Sequence, residues 1–387
     1  MRRDDKRGNM SDVIELAKDL IRCPSVTPTT AGVFDVIEAY LVPVGFTAQR
    51  VTFSEDGHDT VENLYLRYGT GQPNFCFAGH TDVVPPGDPS MWTVPPFHPE
   101  VRDGELYGRG AEDMKGAIAA FMVAAKQFVA ANPNFPGSIS FLITQDEEGW
   151  AVNGTRKMLD WLRDKGEVLS HCLVGEPTNP TYLGEMAKIG RRGSITFQLQ
   201  VQGKQGHVAY PDLADNPVTR LVNMLHALKA DALDAGNAYF PASNLEVTTV
   251  DVGNAASNVI PARASAQFNV RFNNEHTSAD IEQWVRSRIA PFGAHTLSAR
   301  VTGESFLTED ARLPEVLIAA VKEITGHTPK LSTTGGTSDA RFIKDVCPVI
   351  EFGTTGRTPH MVDERVEVKT LEGLAAIYGA VLRHYFA

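Results

Sequence analysis

The sequence predicts an α/β protein: a catalytic domain on a mixed sheet, interrupted by an inserted α+β domain. Three observations carry this. Short apolar runs bounded by turn residues, at Phe75–Ala78, Ile139–Thr144, Cys172–Val174 and Val349–Phe352, read as buried, mostly parallel strands between helices. Between 191 and 303 the pattern changes to clean alternation, with Ile195, Phe197, Leu199 and Val201, then Ala264, Ala266, Phe268, Val270 and Phe272. Alternation means a sheet buried on one face, hence antiparallel. After residue 303 the first pattern resumes.

In chain order, a helix over 11–21 is expected, capped by Ser11, with Ile14, Leu16, Leu20 and Ile21 as its apolar face. A second helix over 31–42 follows the Pro- and Thr-rich turn at 24–30. The helix from Met114 lines one face with Ile118, Met122, Ala125 and Val129, widened by Phe121 and Phe128. In the insert, helices near 216–233 and 278–290 separate strands near 195–201, 244–252, 264–272 and 295–302. The order strand, helix, strand, strand, helix, strand is that of a split βαβ sandwich. Helices near 314–325 and 370–385 close the chain. The expected domains are 11–190 and 304–387 for the catalytic part, and 191–303 for the insert.

Composition narrows the function. The 387 residues carry a net charge of −11, with 36 basic and 47 acidic residues and no long basic run to offset them. A nucleic-acid or anionic-membrane partner is therefore not expected. No apolar run approaches the roughly 18 residues of a membrane span. Cys23, Cys76, Cys172 and Cys347 are scattered without a CxxC spacing, as expected of reduced thiols in the cytoplasm. Residues 1–9 are charged and lack a signal-peptide core; they read as a disordered extension, with Met10 an alternative start.

The chemistry gathers where the buried strands end. The first runs into Gly79-His80-Thr81-Asp82, the second into Asp146-Glu147-Glu148, the third into Gly175-Glu176, and the fourth into a Gly- and Thr-rich loop reaching His360. Ligands of open α/β sheets bind beyond these carboxyl ends. Asp113, in the loop GRGAED, joins them just before a helix. Each residue alone reads as a turn, a helix cap or a solvated loop, but together they form an imidazole and carboxylate set without thiolates. Such a set suits zinc, cobalt or manganese. With two-residue spacing, the Asp82 carboxylate can accept the free ring N–H of a ligating His80 and fix its tautomer. Glu147 and Glu148 can divide their labour, one binding metal and the other acting as general base. No GxSxG, HExxH or phosphate-binding loop occurs, and Gly108-Arg109-Gly110 lacks the third glycine of a dinucleotide loop.

GHTDVVPPGD, GRGAEDMKG, TQDEEG, GEPT and TPH, in that order, resemble the di-zinc amidohydrolases related to aminoacylase and carboxypeptidase G. RRGS at 191–194, QGHVAYP at 205–211, SNVIP at 257–261, GGTSDARF at 335–342 and EFG at 351–353 are similar to that family's desuccinylases. The resemblance covers the chain from about residue 11. It implies a zinc-peptidase-like catalytic domain and an insert that mediates homodimerisation. It also implies two Zn2+ per subunit, with Co2+ able to substitute. Asp113 would bridge the ions, His80 and Glu176 would complete one site, and Glu148 and His360 the other. Asp82 would orient His80, and Glu147 would be the general acid/base. His207, by itself a loop histidine, would reach the partner subunit's site and help hold the oxyanion.

The resemblance implies a small-molecule substrate, and the implied reaction is hydrolysis of N-succinyl-LL-2,6-diaminopimelate to LL-2,6-diaminopimelate and succinate. Its carboxylates require cationic and backbone donors. Arg191 and Arg271 are the candidates, with Ser194, Tyr210, Asn258, Gly336 and Thr337 as neutral partners. Arg192 could replace or assist Arg191, and position 257 carries Ser where relatives often carry Asn. Acetylornithine deacetylase, an aminoacylase or a dipeptidase would use the same metal centre. A zinc-dependent binding protein is the alternative outside enzymes, and Glu147 speaks against it.

Overall fold

The computed structural model describes residues 5–387, with side chains from Asp12 onward. Of the disordered extension expected at residues 1–9, the first four lie outside the described residues, while residues 5–9 are helical instead, being continuous with the helix that ends at Ile21. Contacts divide the chain into two compact units. The first runs to Ile189 and takes in Thr308–Ser332 and Ser338–Ala387; the second comprises Gly190–Leu307 and Thr333–Thr337.

The first unit opens with α1 (Asp5–Ile21). Ser11 therefore lies inside the helix, where the sequence predicts it at the cap. Val13, Ile14, Leu16, Ala17, Leu20 and Ile21 form its buried face, as the 3.6-residue period requires. After α2 (Val33–Leu41) come β1 (Thr47–Phe53) and β2 (Val61–Tyr68), an antiparallel pair. The chain continues through β3 (Asn74–His80), α3 (Lys115–Ala131), β4 (Ser138–Thr144), α4 (Thr155–Asp164), β5 (His171–Val174) and β6 (Met186–Lys188). It returns with α5 (Arg312–Thr325), β7 (Lys330–Ser332), β8 (Val349–Glu351) and α6 (Val368–Tyr385).

These strands form one eight-stranded sheet in the order β1-β2-β4-β3-β5-β8-β6-β7. The central four, β4, β3, β5 and β8, are mutually parallel. The flanking pairs β1/β2, β2/β4 and β8/β6 are antiparallel, which makes the sheet mixed. All seven positions of β3 and of β4 are buried, so both faces are covered and the strands read as continuous apolar runs. Helix α3 lies against the sheet through Phe121, whose ring stacks on Phe77 at 4.4 Å and meets Tyr378 of α6 at 5.5 Å. Aromatic pairs of this kind add about 0.5–1.5 kcal/mol beyond their area burial. Because the central strands are parallel and in register, their carboxyl ends reach one edge together.

The second unit holds a four-stranded antiparallel sheet, with strands Gly193–Gln202, Asn244–Asp251, Arg263–Phe272 and Thr296–Gly303. The pairing puts Asn244–Asp251 at one edge, then Arg263–Phe272, Gly193–Gln202 and Thr296–Gly303. Helices Pro217–Lys229 and Ser278–Ile289 contribute Leu221, Met224, Ile281 and Val285 to a core shared with Phe197, Leu199, Phe268 and Val270. Phe197 pairs with Phe268 in register, and their rings stack at 5.0 Å. Each helix has a designed start: Asn216 accepts from the Val218 amide, and Thr277 with Asp280 makes a capping box. No helix among the described residues is long and apolar enough to cross a membrane.

Candidate metal centre

His80 is the last residue of β3 and is buried. Its Nε2 lies 3.2 Å from Asp113 Oδ1 and 3.5 Å from Glu176 Oε1. Its Nδ1 lies 2.9 Å from the main-chain carbonyl oxygen of Asp82, and 3.7 Å from the nearer Asp82 carboxylate oxygen. The oxygen within hydrogen-bond distance of Nδ1 is thus the main-chain carbonyl and not the Asp82 carboxylate expected from the spacing. A proton on Nδ1 leaves the Nε2 lone pair directed at Asp113 and Glu176. The Asp82 carboxylate instead accepts the amides of Glu147 at 3.4 Å and Glu148 at 3.0 Å, and so sets the turn after β4.

On the other side of Asp113 stands His360, half-exposed on the loop after β8. Its Nε2 lies 2.8 Å from Glu148 Oε1 and 3.4 Å from Asp113 Oδ2. The two carboxylate oxygens of Asp113 therefore face two different histidines. Three ligand sets result, each with its ligand atoms within 4.8 Å of one another: His80, Asp113 and Glu176; Asp113, Glu148 and His360; and His80, Glu147 and Glu148. The first two share Asp113 and leave Glu147 outside both. Four carboxylates and two imidazoles converge here, a hard donor set with an excess of negative charge that divalent cations would neutralise.

The titration behaviour follows from this crowding. Burial and the charge of Glu176 push Glu147 well above the usual carboxylate range. Burial and the charge of Asp113 push Glu176 up to about 7. Burial opposes the ionised form of Asp113 too, but hydrogen bonds from His360 and His80 hold it well below the usual range. Hydrogen bonds to Asp113 and Glu148 raise His360 to about 10. Burial likewise raises Asp82 to about 7.

Glycine makes room for the Asp113 loop at two strand ends. A Cβ on Gly79 would lie 2.7 Å from the Met114 methyl, and one on Gly175 would lie 2.5 Å from the Phe77 ring and 2.7 Å from that same methyl. Met114 can therefore lie flat against the sheet edge, with Asp113 beside His80. Two buried carboxylates that the sequence does not single out, Glu112 and Glu364, hold the flanking loops. Lys115, also buried, donates to the Cys23 carbonyl at 2.8 Å, and burial lowers its pKa to about 8. Acidic residues in a Gly-rich loop look solvated in one dimension; only the partners reveal otherwise.

The expected substrate-binding residues fall in the second unit. Arg191 is buried and donates to the carbonyls of Gly336 at 3.1 Å and Thr334 at 3.4 Å, which ties the 333–337 loop to this unit. Gly336 is exposed and Thr337 half-buried. Arg192 bonds Asn244 at 2.8 Å. Arg271 donates through Nε to Asn269 at 3.1 Å, while its Nη1 is enclosed without a hydrogen-bond partner. Burial, then the charge of Arg192, lowers its pKa. Ser194 is buried and accepts from Asn269 at 3.2 Å. Tyr210 and Asn258 are exposed. His207 is exposed as well; its Nδ1 accepts the Ala209 amide at 3.0 Å.

The profile of peptidase family M20/M25/M40 matches residues 76–384. A succinyl-diaminopimelate desuccinylase from Rhodospirillum centenum is 56% identical over 377 residues, covering 97% of this chain and 98% of that one. Among solved structures, the M20 family metallo-carboxypeptidase Sso-CP2 of Sulfolobus solfataricus superposes with a TM-score of 0.76 at 16% identity, covering 97% of this chain and 99% of that one. The Bacillus subtilis YXEP protein, described as a dinuclear metal binding peptidase from the M20 family, reaches 0.69 at 15% identity, covering 98% of this chain and all of that one. The fold is shared across that distance, and the ordered strand-end motifs run through the matched region. The chain belongs to peptidase family M20/M25/M40.

Proposed function

We propose that this protein is a two-metal amidohydrolase that cleaves N-succinyl-LL-2,6-diaminopimelate to LL-2,6-diaminopimelate and succinate, a step toward lysine. The observation that carries the reading is the position of Asp113. Its two oxygens face two separate histidine and carboxylate pairs, with Glu147 left over beside them. The named activity of the Rhodospirillum relative supplies the substrate. His80, Glu176 and Asp113 would hold one ion; Glu148, His360 and Asp113 would hold the other. Zinc suits these donors, and cobalt would substitute. When bound, such ions supply Lewis acidity, acidifying a water and polarising the amide carbonyl.

The chain's own residues do the rest. Glu147 takes a proton from the attacking water as the new C–O bond forms. It returns that proton to the amine nitrogen as the amide C–N bond breaks, releasing succinate and the free amine. Arg271, with a free and enclosed Nη1, offers a charge-assisted bond to a substrate carboxylate. Arg191 orders the backbone of the 333–337 loop, whose Gly336 and Thr337 present donors, and Ser194, Tyr210 and Asn258 complete the binding set. The second unit joins two copies in a cytoplasmic homodimer, and His207 acts across it to stabilise the oxyanion in the neighbouring subunit's site.

The test is product release from N-succinyl-LL-2,6-diaminopimelate and from N-acetylornithine, with zinc added and Glu147→Ala as control. Preferential cleavage of the succinyl substrate, lost in the control, supports the proposal. Preference for acetylornithine overturns the substrate assignment and keeps the metal chemistry. Two bound ions with no hydrolysis of any linear amide would leave a metal-dependent binding protein.

A further inference from the structure

Two loops deliver the parts of the second ligand set: 108–114 brings Asp113, and 353–365 brings His360. Each loop sends one buried carboxylate into the backbone of the other. Glu364, four residues after His360, accepts the amides of Gly110 at 2.9 Å, Glu112 at 2.9 Å and Asp113 at 3.0 Å. It also pairs with Arg109 at 2.8 Å, and that guanidinium reaches back to the carbonyls of Met361 at 3.2 Å and His360 at 3.5 Å. In return Glu112, next to Asp113, accepts the Thr355 hydroxyl at 2.8 Å, the Arg357 amide at 3.1 Å, and both the amide and the hydroxyl of Thr358. Glu112 and Glu364 are both fully buried.

A buried carboxylate is costly unless its lone pairs are filled. Here every acceptor site of each is filled by the opposite loop or by Arg109. The pair is thus a rigid cross-brace whose length sets the distance from Asp113 to His360. His80, Glu148 and Glu176 are outside it, because they ride on the ends of β3, β4 and β5. We infer that Glu112 and Glu364 are positioning residues that preform one half of the metal centre, the Asp113–Glu148–His360 set, and leave the His80–Asp113–Glu176 set to the sheet. This inference rests on the two-metal reading above.

The experiment is calorimetric titration of zinc into the full-length, metal-stripped protein, as wild type, Glu364→Gln, Glu112→Gln and His360→Ala. Disturbing the partners that hold metal ligands typically costs about 10–100-fold in affinity. Wild type should bind two ions. In the two glutamine variants one dissociation constant should rise by about 10–100-fold while the other moves by less than about threefold. Adding Glu364→Gln to His360→Ala should move the affinity of the remaining ion by less than about threefold, because His80 and Glu176 ride on strand ends and only the shared Asp113 touches the brace. Thr355→Val, which removes one neutral donor to Glu112 and conserves shape, should weaken the same ion by about fivefold, the worth of one hydrogen bond. It carries the test if the glutamine variants fail to fold. Equal weakening of both ions, an effect that persists in the His360→Ala background, or no weakening at all overturns the brace and spares the two-metal reading. A wild type that binds a single ion overturns both.

Discussion

His80 and Asp82 meet through the main chain: Nδ1 of the ring is 2.9 Å from the Asp82 carbonyl oxygen and 3.7 Å from its carboxylate. The carboxylate is spent on the amides of Glu147 and Glu148. Asp82→Ala should therefore keep His80 in its tautomer and keep two ions bound, while loosening the turn that carries Glu147. The expected outcome is a fall in kcat of about 10–100-fold at unchanged metal content, read by turnover alongside metal analysis. Loss of one ion would show that the carbonyl alone does not hold the ring.

Glu147 lies outside the two sets that share Asp113. Glu147→Gln removes the proton carrier and keeps the shape, so kcat should fall by about 10²–10⁴-fold with both ions retained. A variant with substantial turnover would reassign the general base.

The metal-stripped protein should lose stability as pH rises. His360 has a folded pKa of about 10, above the ordinary histidine value of 6.5. Its contribution is fully present below 6.5 and is lost as pH climbs toward 10. Glu176, raised from 4.5 to about 7, is stabilising as its neutral form, and it too becomes unfavourable between those values. Thermal melting of stripped protein should thus fall between pH 6 and about 9, and zinc should restore it, since the ion replaces the protons the site otherwise holds. A flat profile would show that neither group is shifted.

Arg271 Nη1 has no hydrogen-bond partner among the described residues. Arg271→Met gives up one hydrogen bond, from Nε to Asn269, so the melting temperature should fall only slightly, by the worth of about 1 kcal/mol. KM for N-succinyl-LL-2,6-diaminopimelate, a tricarboxylate, should rise by about 10–100-fold, the range of one charge-assisted hydrogen bond. Steady-state kinetics separates this from an effect on kcat.

Phe121 touches Phe75, Phe77, Phe141 and Tyr378 within 6.2 Å between ring centres. Phe121→Ala opens a cavity that the sheet cannot collapse into, costing about 3–5 kcal/mol. Chemical denaturation of the first unit should report it.

Much of the site was legible because a buried parallel strand is an unbroken apolar run, so the first titratable residue after it marks the functional edge. His80, Glu147, Glu148 and Glu176 stand out in that way. The pair β1 and β2 did not, since β1 at TAQRVTF is an edge strand with no buried position, and its pattern lacks the apolar face that alternation would show. Glu112 and Glu364 were invisible for another reason. A carboxylate's burial depends on who donates to it, and their donors lie about 250 residues away along the chain.

Local sequence is enough for the order of motifs, the residue types of the ligand set and the change from buried to half-buried sheet at the insert. These follow from local periodicity and from which side chains can bind a hard cation. The folded chain alone shows that Asp113 divides its oxygens between two histidines, that a carbonyl rather than a carboxylate lies within hydrogen-bond distance of His80 Nδ1, and that two buried glutamates cross-brace the loops. Those are distances between segments far apart in the chain, set by strand register and packing. No local pattern contains them, because hydrogen bonds are made in space and not along the sequence.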